Sequence, residues 1–372
     1  MDSRENQEVR VNAQERFIRT MHHQPVDRPP YWVPVFWTET TERWAREGHA
    51  KTDEETEERI FDCDRKEHIR IWLSFEPPFE EKVLEENGEY VTIQTKKGIV
   101  EKLRTDIPPD SQMHLPLRYP IEGRDDYLRY RSRLCGNVEA RLAVGKSPER
   151  HSGRDYPASL RGWLDCGFYG PLRDLVGFER LSSLFYEDPA LVETMMDDRA
   201  ELIIEMTERI LEKTSIDWFC FWEDMAYRNG PLISPELFRR FMMPRYRQVT
   251  DFLHKRGVDL VFVDSDGDIS LLIPLWLECG VIGMWPFEVQ AGMDVVRLRK
   301  EYGRDLLMIG GLDKRALAKG KKEIEAEILK KVPPLIKDGG DIPRPDHSIP
   351  PDVPYENYRY FMEFLRHVME KG

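Results

Sequence analysis

The densest chemistry in this chain lies at Asp264-Ser265-Asp266-Gly267-Asp268, three carboxylates within five residues, placed directly after the apolar run Leu260-Val261-Phe262-Val263. Side chains two apart on a strand share a face, so Asp264 and Asp266 converge if the strand runs to its end. Two carboxylates held within about 4–6 Å raise one another's pKa unless a cation or a proton sits between them. The pair therefore reads as a metal site or an acid/base pair, against the alternative of an Asp-rich turn with Gly267 at positive φ. A calcium loop of the EF-hand kind wants Gly at its sixth position and Glu at its twelfth. Counted from Asp264 those positions hold Ile269 and Leu275, so that reading fails.

Three further segments carry candidate groups. The aromatic run Asp217-Trp218-Phe219-Cys220-Phe221-Trp222 closes on Glu223 and Asp224. Adjacent strand residues face opposite ways, so one of these two carboxylates faces a site, and the other caps a turn or pairs with Arg228. The segment Gly339-Gly340-Asp341-Ile342-Pro343-Arg344-Pro345-Asp346-His347 reads as a proline-stiffened loop. It offers His347 as a ligand or general acid/base, or as a structural partner of an Asp. After Gly310-Gly311-Leu312, Asp313 or Lys314 is placed to orient a polar or anionic substrate, or to act as helix cap and solvated cation.

These groups need a scaffold, and the chain has the length for one: 372 residues with 40% hydrophobic content. A net charge of -13 and no basic block interleaved with aromatics exclude a nucleic-acid partner. The five cysteines are scattered and never spaced C-x-x-C, which argues against a disulfide framework or a thiolate zinc knuckle. Met1-Asp2-Ser3-Arg4-Glu5-Asn6 lacks the apolar core of a signal peptide, and no apolar run approaches a membrane span, so a cytoplasmic protein is expected.

Tyr31 to Trp37 reads as a first barrel strand, and residues from about 52 to 107 as an insertion containing an antiparallel hairpin around Lys96-Lys97-Gly98. From Ala158 onward, strand-like runs at Leu160–Asp165, Asp217–Asp224, Val258–Val263, Val281–Trp285 and Leu306–Ile309 alternate with amphipathic helices. That is the parallel α/β pattern. With neither G-x-G-x-x-G nor a P-loop, and with acidic residues gathered after successive strands, a single (β/α)8 TIM barrel over residues 1–372 is expected, its site at the C-terminal mouth.

The order of the pieces resembles the uroporphyrinogen decarboxylase superfamily, which includes corrinoid-linked methyltransferases. The resemblance runs through Glu15-Arg16-Phe17-Ile18-Arg19-Thr20, Pro25-Val26-Asp27-Arg28-Pro29-Pro30, Leu232-Ile233-Ser234-Pro235-Glu236-Leu237-Phe238 and Val353-Pro354-Tyr355-Glu356-Asn357-Tyr358. It implies a homodimeric barrel acting on a small molecule. Phe36 to Arg43 lacks the Arg-Gln-Ala-Gly-Arg-type segment by which tetrapyrrole decarboxylases hold carboxylates. Where the methyltransferases carry a His-x-Cys pair and a later Cys on zinc, this chain carries Asp264, Asp266 and His347.

The resemblance thus implies a divalent metal, zinc or another, on Asp264, Asp266 and His347, with oxygen-rich ligands favouring a methoxylated or methylated substrate over a thiol. Glu223, Asp266 and His347 are the expected catalytic groups, and Trp37, Trp222, Asp224, Asp313 and Lys314 the expected substrate contacts. The methyl acceptor would be a corrinoid, carried by a partner protein. Two alternatives stand beside this: metal-free decarboxylation with Asp266 and His347 moving protons, and a non-catalytic binding barrel with Trp32, Trp37, Trp218 and Trp222 as an aromatic cage.

Overall fold

Seven parallel strands follow one another in sheet order and in chain order in the computed structural model, which describes residues 11–49, 53–109, 112–144, 153–162 and 164–371. They are β1 (Glu67–Ile71), β2 (Ala158–Gly162), β3 (Trp218–Trp222), β4 (Leu260–Asp264), β5 (Gly283–Trp285), β6 (Leu307–Leu312) and β7 (Asp341–Pro345). Residues 31–36 fill the eighth place of a TIM-barrel-like fold. Ile349 N–H donates to the Val35 carbonyl at 2.8 Å beside a parallel bridge between Phe36 and Ile349, and Asp64 N–H donates to the Tyr31 carbonyl at 2.8 Å. This seam is thin because Pro34 on one side and Pro343 and Pro345 on the other have no N–H to give a ladder. Residues 1–6, read above for a targeting segment, lie outside the described residues. Among the described residues no helix is long and apolar enough to cross a membrane.

Strand alternation divides the side chains between two layers. Phe219, Phe221, Val261 and Val263 point outward into the main core shared with the helices. Trp218, Cys220, Leu260, Phe262, Leu307, Ile309 and Ile342 point inward and pack with Trp32 and with Phe17 and Met21 from helix Ala13–Met21. These aromatics stopper the N-terminal end of the barrel: Trp32 and Trp218 stack at 6.5 Å and are 3% and 2% exposed. Trp32 and Trp218 are therefore core, which removes these two from the aromatic cage expected from the sequence.

Two strands were legible as something else. β1 lies inside the expected 52–107 insertion, and β7 inside the expected proline loop. On β1, Ile69 and Ile71 face the outer core while His68 and Arg70 take the inward positions, so the strand lacks the apolar run that marks its neighbours. On β7, Pro343 and Pro345 lie along the thin seam, where a strand without N–H groups loses little. The insertion proper is a four-stranded antiparallel sheet of Lys82–Glu86, Tyr90–Gln94, Val100–Arg104 and Leu115–Arg118 between β1 and β2. Its expected central hairpin is present, turning at Gly98 with φ 78°.

Candidate active site

At the C-terminal end of β4, Asp264 is level with Trp222 on β3 and Trp285 on β5. Its alternation with outward-facing Val263 sends the carboxylate into the barrel lumen. There Oδ2 accepts a hydrogen bond from Arg161 Nη2 of β2 at 3.2 Å, and both side chains are 17% exposed. Burial pushes the Asp264 carboxyl up to about 7; Arg161 opposes the shift, Asp266 and Asp224 reinforce it, and His347 opposes it. A carboxyl in that range is about half protonated at neutral pH, the condition for giving or taking a proton there.

Glu223 and Asp224 divide as alternation requires, but neither takes the expected partner. Glu223 is 0% exposed and accepts from the backbone N–H groups of Phe168 at 2.8 Å, Tyr169 at 2.7 Å and Gly170 at 3.1 Å, and from the Tyr246 hydroxyl. It sits on the N-terminus of helix Tyr169–Val176, where a carboxylate is held by otherwise unpaired donors. The expectation that Glu223 is a catalytic acid/base is corrected: every oxygen is engaged and none reaches the mouth. Asp224 pairs with Arg173 at 2.9 Å instead of Arg228, at φ 41° in the left-handed region.

The loops after β4 and β7 bring Asp266 and His347 together, Nε2 to Oδ2 at 3.3 Å. The Ser348 N–H donates to His347 Nδ1 at 2.7 Å, which favours the tautomer with its proton on Nε2, aimed at Asp266. Asp266 raises the His347 pKa, and the Ser348 N–H works against that rise by occupying the lone pair an added proton would need. Asp346, 0% exposed, ties three loops by accepting from the N–H groups of Val289 at 2.8 Å and Lys314 at 3.1 Å. Asp346→Ala is expected to lower the unfolding free energy by about 2–4 kcal/mol in denaturant melts, since two part-buried donors lose their partner.

Asp313 proves to be a cap. Its side chain accepts from the Arg315 N–H at the start of helix Lys314–Lys319 and pairs with the Arg315 guanidinium at 2.8 Å, so it is withdrawn from the expected substrate contacts. Trp37 precedes helix Thr38–Arg46 and is tied by its N–H to the Ile349 carbonyl at 3.3 Å, on the seam. A cavity of about 810 Å³ opens at the mouth, lined by Asp224, Asp266, Arg173, Glu288 and Arg315, with Met113 of the insertion in its wall.

The expected metal set does not fit this arrangement. Asp264 faces Arg161, His347 uses Nδ1 on the Ser348 N–H and Nε2 on Asp266, and among the described residues no three His, Cys, Asp or Glu side chains come together to hold an ion. A metal would have to displace an ion pair and a hydrogen bond to gather three ligands.

The family model for uroporphyrinogen decarboxylase (URO-D) matches residues 173–368. The chain belongs to the uroporphyrinogen decarboxylase family. Its fold is similar to that of a solved methyltransferase from Methanosarcina mazei, with a TM-score of 0.60 over 97% of this chain and 99% of that one, at 15% identity. No curated protein sequence matches it. At that identity the likeness speaks for the fold.

This family member carries functional candidates that motif reading passed over. His68 and Arg70 on β1, Arg161 on β2 and Arg344 on β7 are polar residues at the inward positions of barrel strands. The signal was present as charged residues between apolar ones, but it becomes visible only once the strands are known to be strands.

Proposed function

We propose that this chain is a methyltransferase-like enzyme that removes a methyl group from a small methoxylated substrate, with Asp264 as the proton donor to the leaving oxygen. The observation that carries the reading is a carboxyl held at about 7 in the lumen, level with two indoles and bonded to a single guanidinium. The C–O bond breaks, the methyl group passes to a nucleophilic acceptor, the bonding pair returns to oxygen, and the Asp264 proton converts it to a hydroxyl. The reduced corrinoid expected of the family would supply that nucleophile, presented at the mouth by a partner protein. Asp266 and His347 hold one another beside the cavity; burial keeps the Asp264 proton in place, helped by the nearby Asp266 carboxylate and opposed by His347. Overall likeness to a methyltransferase supports the reading at the level of fold.

Decarboxylation of a small carboxylated substrate is the second reading, favoured by the same proton on Asp264, which would quench the carbanion left by CO2. A panel of methoxylated and carboxylated small molecules incubated with the protein and free cob(I)alamin separates them. Loss of the cob(I)alamin absorbance with release of the demethylated product is the expected result. CO2 release without methylation of the cobalamin would replace methyl transfer by decarboxylation.

A further inference from the structure

We propose that a cavity at the N-terminal end of the barrel, opposite the mouth, binds the phosphoryl group of a small phosphate ester. The cavity measures about 360 Å³ and lies between the loop after helix Ala13–Met21, the turn Gly303–Asp305 before β6 and the end of helix Lys321–Ile336 before β7. No residue given a role at the mouth lines it, so the inference stands apart from the proposed function. Its walls carry Arg28, Arg304 and Lys337 against Asp27 and Asp338, a positive surplus in a chain of net charge -13. Part of that charge is spent inside the protein: Arg16 holds Asp27 at 2.6 Å, Arg28 holds Asp64 at 2.5 Å, and Asp338 acts on Arg299. Arg304 and Lys337 are not spent. Among the described residues neither side chain makes a hydrogen bond or an ion pair.

A second, independent feature points to a ligand. Thr20 lines the same cavity, is 1% exposed, and its hydroxyl has no hydrogen-bond partner. A buried hydroxyl left unpaired costs stability, and a ligand oxygen would complete it. The two cations are also held at a fixed spacing. The His23 ring spans the backbone carbonyls of Asp338, at 2.8 Å from Nδ1, and of Arg304, at 3.1 Å from Nε2, and so ties together the two segments that bear them. His23 itself has a φ of 54°, a strained conformation for a residue with a side chain, of the kind that surrounding structure must enforce. Gly340 enforces it by leaving room for the ring, since a Cβ there would lie 2.2 Å from His23 Cε1. A guanidinium fork and a compact ammonium together match a doubly charged tetrahedral anion, whereas a singly charged carboxylate would leave one cation unmatched. The volume is that of a small-molecule pocket, larger than a bare phosphate fills, and Pro25, Val26, Ile336 and Met369 give apolar walls for an organic body.

The test is calorimetric binding of phenyl phosphate to the full chain at fixed ionic strength, beside phenol, benzoate and inorganic phosphate. Phenyl phosphate is expected to bind one per chain, at least about tenfold tighter than phenol or benzoate, and to lose at least about fivefold in Arg304→Gln and in Lys337→Gln. Both positions are exposed and neither side chain is bonded to the fold, so both variants are expected to fold as the wild type does. Absence of binding, phenol or benzoate binding as tightly as phenyl phosphate, or an affinity unaltered in both variants would overturn the proposal. Inorganic phosphate binding as tightly as the ester, and weakened by the same variants, would overturn the ester and leave free phosphate as the ligand. The readout is binding alone, so a protein that moves no methyl group and releases no CO2 would sink the catalytic reading without touching this one.

Discussion

Asp264→Asn is expected to reduce turnover of the methoxylated substrate by about 10²–10⁴-fold while leaving the protein folded. The amide is nearly isosteric and can still accept from Arg161, but it has no proton to lose to a leaving oxygen. The pH profile carries the sharper test. With the Asp264 carboxyl at about 7, the active protonated form disappears as pH rises through that value, so kcat/KM of the wild-type protein falls above about pH 7. In the variant that limb is absent and the residual rate is flat. Stability moves in a related way. A carboxyl raised above its ordinary 3.8 binds more protons folded than unfolded, so its contribution is fully present below about pH 4 and is lost as pH rises toward 7. Asn cannot titrate, so the variant loses part of the wild-type decline over that window. The rest remains with other buried carboxyls, among them Asp341, also pushed by burial to about 7 at the start of β7, and Asp165, pushed to about 6. A variant that keeps its rate within about threefold of wild type, with the alkaline limb intact, would remove Asp264 from the chemistry.

How much of this was legible in the sequence depends on which force dominates each element. Strands β3 to β6 bury both faces, one against the helices and one in the lumen, so they are continuous apolar runs and were placed nearly correctly, as was β2 despite Ser159 and Arg161 at its inward positions. β1 and β7 bury their outer face, but their inner positions carry Arg70 and Arg344, and periodicity alone took them for an insertion and a loop. The acidic turn after β4 was recognisable because three carboxylates in five residues have no cheap structural reason to be there. What Asp264 meets was not legible, because Arg161 is 103 residues away and meets it only across β3, on the concave face of the sheet. Asp266 and His347, 81 positions apart in the chain, meet as expected, at 3.3 Å. Glu223 was misread for the opposite reason. A carboxylate after an aromatic strand looks like a catalytic group, and only the three N–H groups of a helix from another part of the chain reveal a pin.

That pin makes the second large prediction, and it separates a structural carboxylate from a catalytic one. Glu223 uses both oxygens: Oε1 on the Phe168 N–H and the Tyr246 hydroxyl, Oε2 on the Tyr169 and Gly170 N–H groups. Gln offers one carbonyl oxygen and turns an NH2 toward donors that need an acceptor, so at least one buried N–H is orphaned and another donor is opposed. With an unsatisfied buried group costing about 1–3 kcal/mol and the charge-assisted bonds lost as well, Glu223→Gln is expected to destabilise the fold by about 3–5 kcal/mol. The backbone around the pin has no room to adjust. A Cβ on Gly170 would lie 2.2 Å from the Glu223 carbonyl oxygen, so the helix start and the end of β3 are in direct contact and cannot slide to find new partners. Because the same strand end presents Asp224 to Arg173 and gives the Glu223 N–H to the Asp264 carbonyl at 2.9 Å, loosening it would spread to the mouth only through melting of the fold. At low temperature, where the variant is still folded by circular dichroism, kcat is therefore expected within about threefold of wild type, with the loss appearing in the denaturant midpoint. A variant of unchanged stability that loses turnover would return Glu223 to the chemistry and show that its four donors hold it for proton transfer.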